Sequence, residues 1–308
     1  MMPWLKRPGE SAMLEGPAST LIERLEWRLR RASGSSVAGD YRSLFRGRGV
    51  EFDQVVKYQW GDDQRDIDWN VTARLGEPYR KRFIEQRDLC VLVVFQDAPE
   101  LQSGSAGRTR RETLVEAATL LLLIGLMQRD RVGLLYTSPT RSWLRRLAGT
   151  REAVLRTAAM LLEEEPPALD SVGSATIPWP LVLCAAPRHS VVVWLGPFAP
   201  GAEPEEWPAL VRRYQVVGFR ADDPWDHALP QRGRLPIFDP VGRGSAQFDF
   251  SSPANRAAHA AWAEAREAHF SALFPDERTR HALPAEKPVF DSVAEFFHRQ
   301  AHAGAGGR

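Results

Sequence analysis

Four aspartates fall within seven residues of this chain, at Asp62, Asp63, Asp66 and Asp68, with Gly61 before them and Trp69 directly after. Carboxylates packed this densely repel one another unless cations or protons neutralise them. A hard cation is one solution, because Asp62, Gln64 and Asp66 alternate roughly as a calcium loop requires. Such a loop also needs glycine at its sixth place and glutamate at its twelfth, and these are Ile67 and Ala73. A catalytic carboxylate pair is a second solution, the chemistry of a hydrolase using Asp62–Asp68, but no histidine, cysteine or serine lies within the signature. Arginine is a third. Between Asp40 and Asp88 the chain carries ten basic and ten acidic residues, so the segment balances to zero. An internal Arg–Asp network follows, with bidentate pairs pinning a small β-rich unit onto a larger sheet. A recognition surface is compatible with that network: Trp60 and Trp69 anchor a partner while the charges set its register.

The remaining reactive residues form no constellation. Cys90 and Cys184 sit beside apolar runs and read as buried, inert thiols. His259 and His269 are ten apart on an expected helix, His281 falls in a connecting segment, and His298 and His302 lie where the last helix frays. No HExxH motif, no GxxxxGK[ST] phosphate loop and no Gly-x-Ser-x-Gly occurs. The basic pairs Arg110-Arg111 and Arg145-Arg146 and the run Arg80-Lys81-Arg82 read as solvated charges and salt bridges rather than as a nucleic-acid stripe.

Elements that position these residues follow from length and pattern. The 308 residues carry a net charge of +1, which predicts no global attraction to nucleic acid or to an acidic membrane. The N-terminal stretch lacks the continuous apolar run of a signal peptide, and Ala117 to Met127 is too short to span a bilayer, so a soluble, cytoplasmic protein without a cofactor is expected. Residues 1–34 read as a flexible lead and an amphipathic helix carrying Leu21, Ile22, Leu25 and Leu29 at helical spacing. Ser33 to Ser36 reads as a loop. Residues 35–88 read as a β-rich subdomain, with extended pieces around Val50 to Val56, Ile67 to Val71 and Tyr79 to Ile84.

Residues 89–230 alternate strands and helices: Leu89 to Phe95, a helix over Thr113 to Met127, Val132 to Tyr136, a helix over Ala153 to Leu162 with Thr150 as N-cap, Val191 to Leu195, and Tyr214 to Phe219. That alternation predicts an α/β domain with a mostly parallel sheet and helices on both faces. A further short strand is expected around Leu181 to Ala185. Residues 231–300 read as a hairpin around Asp239 to Gly244 followed by helices over 255–274 and 289–298, and residues 301–308 as a disordered tail.

Arg46 to Phe52, Tyr58 to Asp63, Arg65 to Trp69 and Ala73-Arg74, taken with Asp223 to Asp226 and Asp239 to Gly242, closely resemble the bacterial domain of unknown function 58 family. The resemblance marks Arg48, Glu51, Phe52, Tyr58, Trp60, Gly61, Asp62, Asp63, Arg65, Asp68, Trp69 and Arg74 as signature and partner-binding candidates. It implies a von Willebrand factor A-like (Rossmann-type) sheet and a partner rather than a reaction. That partner is a MoxR-type AAA+ ATPase, with a role in assembling or remodelling other proteins; an envelope-linked scaffold is the alternative. Domains of the von Willebrand type hold magnesium through an Asp-x-Ser-x-Ser loop, a threonine and a second aspartate. Here Asp97 takes the first place, Pro99 and Leu101 the serine places, and Gly196 to Phe198 the region of the second aspartate. The expectation is a vestigial site at Asp97 that binds magnesium no better than millimolar, since proline and leucine offer no oxygen.

Overall fold

The computed structural model describes residues 16–32, 39–41, 52–60, 62–83, 89–169, 171, 175–239 and 244–303. Expectations for the lead before Gly16, the loop Ser33 to Ser36, Arg48, Glu51, Gly61 and the tail after Ala303 lie outside these residues.

Two strands, β1 (Phe52–Lys57) and β2 (Tyr79–Phe83), pair antiparallel and flank a short helix, α2 (Trp69–Leu75). The expected extended piece over Ile67 to Val71 is therefore helical from Trp69 onward. Local signals decide it: the Asp68 carboxylate accepts hydrogen bonds from the Asn70 and Val71 amides, 3.0 and 3.2 Å away, and caps the helix start. Gly76, at φ 72°, ends the helix in the left-handed conformation that glycine adopts without steric cost. Before α2, α1 (Pro17–Ala32) buries Ile22, Leu25 and Leu29, the stripe read from spacing.

The main unit is a six-stranded sheet. Its strands are β3 (Cys90–Gln96), β4 (Arg131–Thr137), β5 (Ser142–Ala148), β6 (Val191–Leu195), β7 (Gln215–Asp222) and β10 (Arg280–Pro284), in the order β10-β7-β6-β3-β4-β5. All neighbours run parallel except β5, which pairs antiparallel with β4 at one edge. Side chains alternate across each strand. Along β3, Val91, Val93 and Phe95 enter one core, whereas Leu92 and Val94 enter the other. Burial on both faces is what makes β3, β6 and β7 read as unbroken apolar runs.

One face packs on α1, α3 (Arg110–Met127), α4 (Arg151–Leu162) and α9 (Val289–Ala303). The other packs on α5 (Trp179–Ala185), α6 (Trp207–Arg213) and α8 (Pro253–Leu273). Helix α3 is buried from Thr113 to Gly125. A helix apolar all round is one enclosed by neighbours. Thr109 and Glu112 form a reciprocal capping box at its start. Thr150 holds the N-cap place of α4 as expected, without a capping hydrogen bond from its side chain.

The expected strand at Leu181 to Ala185 is corrected to helix α5. Trp179 and Val182 are buried three residues apart while Cys184 is exposed, a helical rather than an alternating pattern. His281 lies in β10, not in a connecting segment, and His298 lies within α9, which continues to Ala303. A hairpin of β8 (Arg234–Asp239) and β9 (Gly244–Asp249) follows a single-turn helix, α7 (Pro224–His227). Among the described residues, no helix is long and apolar enough to cross a membrane.

Candidate functional site

Two places carry the candidate residues: the signature around α2 and the carboxyl ends of the central strands. In the signature, Asp62, Asp63 and Asp68 are held by backbone amides, and Asp62 by an arginine as well. Asp62 Oδ2 accepts from the Gln59 amide at 2.9 Å and lies 2.7 Å from Arg80 Nε, while the Tyr58 hydroxyl donates to the Asp62 carbonyl at 3.0 Å. Asp63 caps the 3-10 turn Gln64–Asp66, its Oδ1 accepting from the Arg65 amide at 2.9 Å. Asp68 caps α2. Of the expected Arg–Asp network, the Asp62–Arg80 pair is present. It and the Lys57–Glu77 pair join elements of the signature to each other rather than to the large sheet. Backbone amides also hold Asp63 and Asp68, because turn and helix starts leave amides that a nearby carboxylate satisfies at short range.

The same geometry turns two large aromatic side chains outward. Trp60 is 101 % exposed and Trp69, the first residue of α2, is 70 % exposed. Leu75 at the other end of α2 is also exposed, and Arg65 and Arg74 stand in solvent beside them. Large exposed aromatics are the informative exception on a protein surface. Phe52 lies on β1.

At the carboxyl end of β3, Asp97 is wholly buried. Its Oδ2 accepts from Arg111 Nε at 2.8 Å and from the Tyr136 hydroxyl at 3.0 Å. Arg111 also donates to the Glu164 carbonyl at 2.7 Å, and the Glu164 carboxylate takes Trp143 Nε1 at 3.0 Å. Burial pushes the Asp97 carboxyl up, with Arg111 and Tyr136 opposing. Burial, with the Asp97 charge beside it, pushes the Tyr136 hydroxyl up as well. The cation facing Asp97 is therefore a guanidinium from the first turn of α3. Pro99 and Leu101 are buried. A Cβ at Gly196 would stand 2.8 Å from Gln96 Oε1 and 3.0 Å from Trp194 Nε1, so no carboxylate-bearing side chain fits there as built. Among the described residues, no group of three histidine, cysteine, aspartate or glutamate side chains is placed to hold a metal ion.

In a doubly wound sheet, ligands enter where connections leave in opposite directions, here between the carboxyl ends of β3 and β6. The chain fills that crevice itself. Gln96 donates to the Ala175 carbonyl at 2.7 Å and accepts from Trp194 Nε1 at 3.1 Å, and Thr137 donates to the Thr176 carbonyl at 3.0 Å. Phe198, at φ 49°, packs between the rings of Trp194 and Phe270, which hold it in that unfavourable backbone region.

Beside the crevice lies a buried charge network that spacing did not reveal. Arg266 Nη1 reaches Asp222 at 3.0 Å and Asp226 at 3.1 Å, and its Nη2 donates to the Ala221 carbonyl. Arg220 pairs with Asp222 at 2.9 Å and with Glu267, and Arg110 pairs with Asp226. Asp223 accepts from the amide and the hydroxyl of Ser105. Burial works to raise the Asp223 carboxyl, but these bonds, the Trp225 amide and Arg110 outweigh it and hold the group below the usual carboxylate range. The network ties α8, the end of β7 and the start of α3 together. Arg110-Arg111, expected as solvated charges and salt bridges, forms salt bridges from part-buried positions, one to each of the two sites. A doubled arginine at a helix start, with unassigned aspartates downstream, was the available signal.

A family model described as "Protein of unknown function DUF58" matches residues 54–269. An uncharacterized protein of Mycobacterium bovis and one of Mycobacterium tuberculosis are each 27 % identical over 226 residues, covering 71 % of this chain and 69 % of theirs. Among solved structures, the crystal structure of an uncharacterized membrane spanning protein from Vibrio fischeri aligns at 13 % identity with a TM-score of 0.23, over 70 % of this chain and 99 % of that one.

Proposed function

Because the chain belongs to the DUF58 family, matched over residues 54–269, we propose that it is a protein–protein interaction module whose signature segment is the face presented to a partner. The observation that carries this reading is the exposure of Trp60 and Trp69 on either side of aspartates already engaged by local backbone. Tryptophan is the residue most enriched at the energetic centre of interfaces, and two left in solvent on a short capped scaffold form a pre-organised anchor pair. The partner that the signature resemblance implies is a MoxR-type AAA+ ATPase, with this chain acting as a cytoplasmic adaptor in protein assembly or remodelling.

In this reading the sheet domain is von Willebrand factor A-like, a finer assignment supported by one antiparallel edge strand in an otherwise parallel six-stranded order. Arg111 at Asp97 supports contact through charged and apolar surface in place of a metal-bridged carboxylate. The capping roles of Asp63 and Asp68 weigh against the hydrolase alternative, since a general acid or base must be free to exchange its proton with a substrate.

Affinity capture from the native host, followed by ATPase assays with the captured protein, tests this. The reading expects enrichment of a MoxR-type ATPase and a changed hydrolysis rate. Repeated capture without such an ATPase, together with an unaltered rate on adding the purified chain, removes the partner assignment.

A further inference from the structure

The amino ends of four neighbouring strands lie side by side along one edge of the sheet. Cys90 of β3 pairs with Arg131 of β4, Val91 of β3 with Val191 of β6, and Val191 with Gln215 of β7. Neighbouring strands are about 4.8 Å apart, so this edge runs for about 14 Å. Its turns are 127–131 before β4, 186–191 before β6 and 211–215 before β7.

These turns hold five arginines, Arg129, Arg131, Arg188, Arg212 and Arg213, together with His189. Against them stands one carboxylate, Asp130, and it is wholly buried. All the basic side chains except the half-buried Arg213 are exposed. None of the five arginines has a carboxylate within ion-pair distance among the described residues. Arg131 donates to the Leu147 carbonyl at 3.3 Å, and Arg213 lies over the Tyr214 ring. Exposed arginines on other faces, such as Arg141, Arg151, Arg156 and Arg234, each meet a carboxylate. The whole chain carries a net charge of only +1, so the excess belongs to this edge.

The backbone of the same turns is a second observation. Arg129 and His189 have φ of 61° and 65°, in the left-handed region where every side chain meets a steric cost that glycine avoids. Both places carry a basic group into solvent all the same. The His189 amide donates to the Arg213 carbonyl at 3.0 Å, which fastens the turn before β6 to the turn before β7.

Aliphatic side chains flank the cations. Met127, which ends α3, is 38 % exposed, and Val211, in the last turn of α6, is 48 % exposed. The one aromatic residue of these turns is Tyr214, whose ring is buried, so unpaired bases find no stacking platform here. Arginines beside exposed aliphatic groups suit the boundary of an anionic bilayer. Headgroup phosphates attract the cations, and the aliphatic groups leave water for the interface.

We propose that the amino-terminal edge of the sheet docks on an anionic lipid surface, held by the arginines of its three turns with Met127 and Val211 entering the headgroup region. This edge is separate from the signature, and the proposal does not depend on the role of Trp60 and Trp69.

Flotation of the full chain tests it, with vesicles of phosphatidylcholine and phosphatidylglycerol in equal parts and with vesicles of phosphatidylcholine alone. The expected result is saturable binding to the anionic vesicles only, weakening as salt is raised. Each basic residue near a charged leaflet contributes about a fivefold factor, so Arg188→Gln/Arg212→Gln should weaken binding about thirtyfold. Met127→Ser/Val211→Ser should weaken it at least about threefold. Arg156→Gln/Arg234→Gln, which removes two paired cations from other faces, should bind as the parent does. All these positions are exposed, and every variant should keep the urea midpoint of the parent. Three results overturn the proposal: no binding to the anionic vesicles at low salt, equal binding by Arg188→Gln/Arg212→Gln, or binding to a DNA duplex without binding to the vesicles.

Discussion

Arg111 places its Nε 2.8 Å from Asp97 Oδ2 at the carboxyl end of the first central strand, where it faces a carboxylate with no exposure to solvent. Tyr136 donates to the same oxygen from the neighbouring strand, its ring stacked between Phe95 and Trp143. A buried carboxylate needs a charge partner or a proton, and here α3 brings that partner from within the chain. Removing one member of a buried pair costs about 3–5 kcal/mol, because the other is left uncompensated. Arg111→Met should therefore lower the urea unfolding free energy by an amount in that range, and Asp97→Asn added to it should restore part of the loss. A single variant as stable as the parent would show that the pair does not hold the strand ends.

At the start of α2, Asp68 satisfies two amides that the helix leaves open. Loss of such a cap costs about 1 kcal/mol, or roughly a fivefold change in local opening. Hydrogen exchange of the amides from Val71 to Leu75 should accelerate by about that factor in Asp68→Ala. Asp68→Asn, which keeps a capping oxygen, should stay near the parent. Equal acceleration in both variants would assign Asp68 to charge rather than to capping.

His281 gives a stability signature with a defined sign. Burial between Phe219 and Phe296, with the Arg299 guanidinium adding to it, pushes the imidazole from 6.5 down to about 4. Between those values the unfolded chain takes up a proton that the folded chain refuses, so folding stability falls as pH drops from 6.5 towards 4. In His281→Phe this part of the acid limb should flatten in urea titrations run at several pH values. An unchanged slope would mean that other groups carry it.

Much of the sheet is legible from sequence for a physical reason. Val91 to Phe95, Val191 to Leu195 and Val216 to Phe219 are covered on both faces, and burial leaves an unbroken apolar run. Edge strands give no such signal. Strand β5 carries Arg145 and Arg146 and is half-buried at best, and β10 is five residues ending in Pro284. Leu181 to Ala185 misleads because a short apolar run has no period long enough to separate strand from helix. The charged sites are harder still. The family resemblance singles out Asp97 as the remnant of a metal loop, but its partner Arg111 lies fourteen positions on, across a loop. The pairs Arg266–Asp222 and Arg110–Asp226 join segments 44 and 116 residues apart, which no local spacing can disclose.

In the proposed function Trp60 and Trp69 form the recognition surface of the signature. Substitutions at exposed positions away from special backbone features usually change stability by no more than about 0.5 kcal/mol, so Trp60→Ala and Trp69→Ala should each fold as the parent does. A buried tryptophan anchor in an interface is worth about 2 kcal/mol or more. Calorimetric titration of the MoxR-type ATPase from the same host into the parent chain and into the Trp60→Ala/Trp69→Ala double variant measures this directly. Saturable binding by the parent is expected, with a loss of affinity of at least about thirtyfold in the folded double variant. Equal affinity in parent and variant, or no binding by the parent, would contradict it.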